Sequence, residues 1–184
     1  TYEINIFSSI MPLNGNVIVK DTIASTDFET NNGNWHYNSS SLKYDTLYGY
    51  YIELDSTIFW GPSITFDLEE ILSHEYDVID VAAELFAPEL ESSTLLVGSV
   101  YGDSSTISWN GSNYKDFNLT SDSVKNVFLT IDMRSALKNI KSVKDIKLKI
   151  FVWNKSKSLV NINNITITSR PGNMLKYGLY NRLQ

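Results

Sequence analysis

The stretch "KSLVNINNITITS", residues 157–169, alternates as a strand does and then breaks step. Val160 and Ile162 are two apart, as neighbours on one face of an extended chain should be, and so are Ile165 and Ile167. From Ile162 to Ile165 the step is three, and Asn163-Asn164 occupies it. We read this step as a β-bulge whose amides satisfy a strand corner.

Period two recurs along the chain. It appears in "NVIVKDTI" (16–23), "YYIELD" (50–55), "SITFDL" (63–68), "DVIDVAAELFA" (77–87), "NVFLTID" (126–132) and "IKLKIFVW" (146–153). Each run has one apolar side and one mixed side, as a two-sheet antiparallel sandwich requires. Polar segments separate the runs, notably "ETNNGNWHYNSSS" (29–41) and "YGDSSTISWNGSNYKD" (101–116). Helix is expected only as short turns, at "DLEEIL" (67–72) and "DMRSALKNI" (132–140). Asp67 is placed to cap the first, with Glu70 three residues on. Residues 1–15 and 170–184 read as flanks of a single domain over 16–169, with Pro171-Gly172 closing the last strand.

The 184 residues are enough for one domain with a sizeable core. Lys plus Arg number 15 against 21 Asp plus Glu, a net charge of −6 that argues against nucleic acid as a partner. No apolar run is long enough to cross a bilayer, so no membrane insertion is expected. No signal peptide opens the chain, and it starts at Thr1 without Met, which reads as a processed or excised piece of a longer protein. The lack of Cys excludes disulfides, thiolate chemistry and Cys-based zinc sites. The N-x-S/T sequons at Asn38, Asn110, Asn118, Asn154 and Asn164 are about what chance gives in so polar a chain.

The order of motifs resembles the galactose-binding-like jelly roll shared by many carbohydrate-binding modules. Such chains open with a strand ending in "FE" and a loop with Gly and Trp; here "TDFETNNGNWHY" supplies Phe28-Glu29, Gly33 and Trp35. They close on a strand carrying an acidic pair; here "VNINNITIT" has Asn163-Asn164 in that place. More narrowly, "LKIFVWNKSKSLVNINNITIT" resembles jelly-roll domains in extracytoplasmic proteins of Bacteroidetes-type bacteria. The resemblance implies an all-β jelly-roll sandwich, an extracytoplasmic location and a place in a larger exported polypeptide, with its other domains and a glycan as partners. It also implies a structural calcium in many members. Carried over, Glu29 and Asn164 are the metal positions, with carbonyls of "NNGN" (31–34) completing the shell. The amides in place of the acidic pair remove negative charge that calcium favours, so the bulge alone is the competing account. No cofactor is required on either account.

No catalytic residue emerges, and the chain reads as not an enzyme. Its only histidines, His36 and His74, sit in no recognisable nucleophile or metal motif. The carboxylates Glu53 and Asp55, and Asp80 and Glu84, share strand sides as ordinary solvated faces do. The aromatics are more suggestive, because sugar rings stack on Trp and Tyr while hydroxyls take amide partners. Trp35 and Tyr37, with Tyr44 and Tyr48 near by, belong to the first polar segment; Trp109, Asn110, Asn113 and Tyr114 belong to the other. A jelly roll can bring such loops to one end, which makes Trp35, Tyr37, Trp109, Asn110, Asn113 and Tyr114 the candidate ligand residues. The alternative is that Trp35 plugs the sandwich end and Trp60 covers the core edge. A second candidate surface sets Phe151 and Trp153, with Lys147 and Lys149, beside Phe128, Phe86 and Tyr51 on one outer sheet face. The function expected is a non-catalytic carbohydrate-binding module; the alternative is a structural or protein-interaction sandwich with no small ligand.

Overall fold

The computed structural model describes residues 20–29, 34–74, 76–88, 92–103, 105–117 and 124–172. The flank 1–15, the expected strand residues 16–19, the turn residues 31–33, Glu89, Glu91, Asn118 and the end from 173 lie outside them.

Among the described residues, ten strands carry the fold: β1 (Asp21–Thr26), β2 (Leu42–Asp45), β3 (Gly49–Leu54), β4 (Trp60–Asp67), β5 (Val78–Phe86), β6 (Thr94–Gly102), β7 (Ser105–Asn113), β8 (Lys125–Asp132), β9 (Lys147–Asn154) and β10 (Val160–Arg170). They form a six-stranded sheet in the order β2-β3-β10-β5-β8, with β1 also on β10, and a four-stranded sheet in the order β4-β9-β6-β7. The ladders are antiparallel. Strands β3 to β10 pair as one long folded hairpin: β3 with β10, β4 with β9, β5 with β8, β6 with β7. Successive pairs fall in opposite sheets, which is the jelly roll. The core lies between the sheets, where Ile52, Ile79, Ile131 and Ile162 of one face Leu96, Leu148, Ile150 and Val152 of the other.

The three-residue step is a bulge. Ile162 pairs with Leu85 and Asn164 with Glu84, leaving Asn163 as the extra residue on β10. Ile162, Ile165 and Ile167 are therefore all fully buried on the inner face. The bulge sits where β10 changes neighbour along its other edge: β3 pairs with Val160–Ile162 and β1 with Ile165–Ser169.

Helix among the described residues is confined to single turns, α1 (Leu68–Ile71) and α2 (Met133–Ala136), besides two 3-10 turns. Asp67 makes no capping hydrogen bond with α1, contrary to the sequence expectation. Its carboxylate instead accepts a hydrogen bond from Lys147 Nζ, its partner across the β4–β9 ladder. That contact raises the Lys147 pKa, the Asp67 hydrogen bond being the leading cause. Asp132 does the capping, accepting from Ser135 N at 3.3 Å at the start of α2.

Residues 105–113, expected within a polar loop, form β7. It is the edge of its sheet and, among the described strands, pairs with β6 alone. An edge strand needs little apolar alternation, and Ser108 and Asn110 occupy inward positions opposite Val100 and Gly98.

Candidate functional site

On the four-stranded sheet, residues alternating with the buried Ile64, Leu96, Leu148 and Ile150 face outward. The ladder sets them in rows: Trp60, Trp153, Leu95 and Asn113; then Ser63, Phe151, Val97 and Gly111; then Thr65, Lys149, Ser99 and Trp109. Trp60 stacks on Trp153 with ring centroids 5.4 Å apart and planes 14° from parallel, and leans on Phe151 at 5.9 Å. Lys149 Nζ stands 5.8 Å from the Phe151 centroid. At the other edge, the Trp109 indole lies over Gly111, where a Cβ would meet its Cη2 at 2.6 Å. The glycine leaves room for the ring to lie flat along the strand. Val97, in the row between Phe151 and Gly111, is fully buried although it faces outward. Trp60 and Trp109 remain 54% and 50% exposed, so two large rings frame an open apolar surface.

A second bulge aims Trp60. Between Trp60 and Ser63 the strand has one residue more than its partner between Trp153 and Phe151. Gly61 fits against Leu54 and Val152, each 3.0 Å from where a Cβ would stand, and Trp60 is returned to the outer face. Behind it, Asn154 N donates to Phe59 O at 3.0 Å and Asn154 Nδ2 to Ser158 O at 2.6 Å, tying the preceding loop to the end of β9. Beyond Trp60 the surface falls into a cleft of about 410 Å³ lined by His36, Tyr37, Asn38, Thr57, Ile58, Phe59, Trp60 and Gly61.

The structure disperses the six residues expected to bind ligand. Trp35 is buried in the core with its Nε1 unpartnered among the described residues, so it plugs the sandwich, the alternative open to it from sequence. Tyr37 lines the cleft beside Trp60 and packs edge-on against Phe28 at 5.7 Å. Backbone bonds between His36 and Ser63, 2.8 Å each way, hold that segment along β4. Trp109 and Asn113 share the outer face of β7, while Asn110 points inward and donates to Ser108 Oγ at 3.2 Å. Tyr114 is 1% exposed and its hydroxyl accepts from Ala87 N at 3.2 Å, which makes it a core residue. The two polar segments therefore meet opposite edges of the four-stranded sheet rather than one end of the sandwich. Trp60, assigned from sequence to the core edge, is the residue missed; its signal was the following Gly61-Pro62, which marks a bulge.

The second expected surface is also corrected. Phe151 and Trp153 lie on the four-stranded sheet, whereas Phe128, Phe86 and Tyr51 belong to the six-stranded one, so no single face carries all five. On that other sheet, Glu29 and Asn164 line one cleft of about 310 Å³ with Asp27, Tyr44, Tyr48, Gly49, Tyr50, Glu84 and Asn163. The oxygens of Glu29, Asp27, Glu84, Asn163 and Asn164 are the hard donors that calcium takes. Among the described residues, however, no three His, Cys, Asp or Glu side chains converge as a metal cluster.

No protein-family model matches the chain, and no curated protein does. Among solved structures, it is similar to a xylan-binding module, CBM15, at 16% identity over 85% of this chain and 100% of that one, with a TM-score of 0.48. It is similar to the CBM22-1–GH10 modules of endo-1,4-β-D-xylanase 10B from Clostridium thermocellum, complexed with xylohexaose, at 10% identity over 85% of this chain and 29% of that one, TM-score 0.45. It is also similar to the Stig cyclase Fisc from Fischerella sp. TAU, at 12% identity over 67% of this chain and 64% of that one, TM-score 0.42.

Proposed function

We propose that the chain is a non-catalytic glycan-binding module, and that the outer face of its four-stranded sheet is the binding platform. The outward, stacked pair Trp60 and Trp153, with Trp60 54% exposed, carries this reading. An outward Trp pair is poorly explained by packing, because half of the Trp60 surface stays in water. It suits a sugar, whose C–H faces lie flat on aromatic rings. Four strands at about 4.7–4.9 Å spacing make the platform roughly 14 Å wide from Trp60 to Trp109, room for a short oligosaccharide. Ser63, Thr65, Ser99, Asn113 and Lys149 offer hydrogen bonds to hydroxyls between the rings, and the Tyr37 cleft extends the path past β4. A surface without polar partners would serve a protein interface better than a glycan, and this face mixes the two.

The same reading makes this domain part of a larger exported polypeptide, with its other domains as partners. No helix among the described residues is long and apolar enough to cross a membrane. It also gives Glu29 and Asn164 to a structural calcium in the cleft that both line on the six-stranded sheet. Such an ion would brace the junction of β1, β3 and β10, away from the platform.

The test is a glycan array on the chain, followed by calorimetric titration of the best binder with Trp60→Ala and Trp153→Ala variants. Loss of binding in both supports the platform. No binding to any glycan favours a structural or protein-interaction module instead.

A further inference from the structure

The outer face of the six-stranded sheet carries, beside the first cleft and sharing Tyr48 and Asn163 with it, a smaller cleft of about 200 Å³ lined by Asp45, Tyr48, Tyr51, Phe86, Val124, Asn161 and Asn163. Its floor is set by the ladder. Asn161 of β10 is opposite Glu53 on one side and Phe86 on the other, and Tyr51 is two residues before Glu53 on the same face of β3. One wall is the β2–β3 turn, where Asp45 Oδ1 accepts from Leu47 N at 2.7 Å and so holds Tyr48 beside the floor.

Three aromatic rings and one carboxylate thus surround a space of small-molecule size. Tyr48 is 59% exposed, so its ring is free to cover a bound group. Among the described residues, the cleft is lined by an acid and by no Lys, Arg or His. Lys43, opposite Tyr51 in the ladder, is exposed and does not line it. Burial raises the Tyr51 pKa, and the charges of Glu53 and Asp45 raise it further, so the phenol sits in a negative field. On the floor, Asn161 Oδ1 is buried and has no hydrogen-bond partner among the described residues. Aromatic faces and a carboxylate around one cleft together describe a host for an organic cation, which gains from ring quadrupoles and carboxylate at once.

We propose that this cleft is a second binding site, independent of the platform, that takes an organic ammonium group. Two sources present that chemistry: a quaternary ammonium head group such as choline, and the amine of a deacetylated amino sugar.

The experiment titrates the whole chain with choline, with glucosamine and with the neutral carbon isostere of choline, dimethylbutanol, following amide shifts by NMR. Saturable binding of either cation, at least tenfold tighter than the isostere, is expected, and the tighter cation names the source. Asp45→Asn keeps the acceptor that holds the turn but removes the charge; it should weaken cation binding at least tenfold, as should Tyr48→Ala. Trp60→Ala should leave it unchanged, which separates this site from the platform. Equal binding of the isostere, binding indifferent to Asp45→Asn, or no saturable binding of either cation would overturn the proposal.

Discussion

Trp60 and Trp153 face each other across the β4–β9 ladder with their ring planes only 14° apart. Neither β-branching nor core packing demands this, since Val152 and Ile64 already fill the inner side of the same strands. The pair is held by a bulge on one strand and by ordinary alternation on the other. Removing Trp60 should therefore weaken glycan binding far more than it weakens the fold. By analogy with other aromatic stacking platforms, Trp60→Ala is expected to cost about 1–3 kcal/mol of binding. The lost ring pair should cost about 1 kcal/mol of stability. Calorimetry and urea denaturation on the same variant separate the two.

The bulge on β10 makes a sharper test of the fold. Deleting Asn163 would remove the bulge and leave Val160, Ile162, Ile165 and Ile167 in strict alternation on the inner face, with the register of β10 on β5 unchanged. Ile165 and Ile167 would keep their places opposite Ala83 and Val81, so the deletion should cost far less than the roughly 3–6 kcal/mol that turning both to water would take, at about 1.5–3 kcal/mol each. Asn163→Ala keeps the residue count and should change stability little. A urea midpoint for the deletion lowered as far as the loss of both isoleucines from the core would show that the bulge itself is needed to place them.

That bulge was legible because isoleucines three apart on one strand can share a face only if a residue between them is bulged out. The sandwich was legible from the same alternation: central strands such as β5 and β9 must keep Ile79 and Ile150 in the core. β7 was not, because an edge strand with Ser108 and Asn110 inward looks like a loop. The site was legible only in kind. Stacking residues and core residues are the same amino acids, and burial decides between them. Tyr114 went inward to bond Ala87 while Trp109 stayed out over Gly111, and no local pattern in "SWNGSNY" distinguishes the two.

Acid should act on the fold through Asp80. Burial pushes its carboxyl up, but the Arg170 guanidinium, the Lys20 ammonium and the Thr130 hydroxyl outweigh it and hold the pKa below the usual value. Arg170 Nε donates to Oδ2 at 2.6 Å, and Lys20 Nζ lies 3.0 Å from the same oxygen. With the folded pKa depressed, the unfolded chain binds more protons below about pH 4, so stability is present above that and falls as pH drops through the folded pKa. Arg170→Gln should lose stability near neutrality, and the gap from the parent should close in acid. A gap independent of pH would mean the ion pairs contribute nothing to it.

The isolated chain should hydrolyse no glycoside, ester or peptide. Asp27, Glu29 and Glu84 do line one cleft, so the prediction has a place to fail. Yet two carboxylates need set separations about a scissile bond and a bound substrate between them. Here the aromatic platform lies on the opposite sheet, so a glycan held by Trp60 would not reach these acids. Turnover on a broad substrate panel that vanishes in Glu29→Gln or Glu84→Gln would sink the binding-module reading.

Calcium, if the cleft takes it, should act on stability and leave the platform untouched. Glu29 follows β1 and Asn164 sits on the β10 bulge, so an ion between them would tie the first strand to the last. An ion that binds only the folded chain raises stability by RT ln(1 + [L]/Kd), so the melting temperature should climb with calcium concentration. Neutral amides at Asn163 and Asn164 make a weaker site than an acidic pair there would, so the rise should need millimolar rather than micromolar metal, on the order of the extracellular modules. Glu29→Gln should abolish it, and Asn164→Asp should strengthen it by restoring charge. Magnesium, which demands tighter octahedral geometry, should substitute poorly. Glycan affinity of the platform should be the same with calcium and with chelator, because the ion lies on the other sheet. Melting curves that coincide in calcium and in chelator would leave the bulge amides as purely structural groups, with Glu29 an ordinary surface carboxylate.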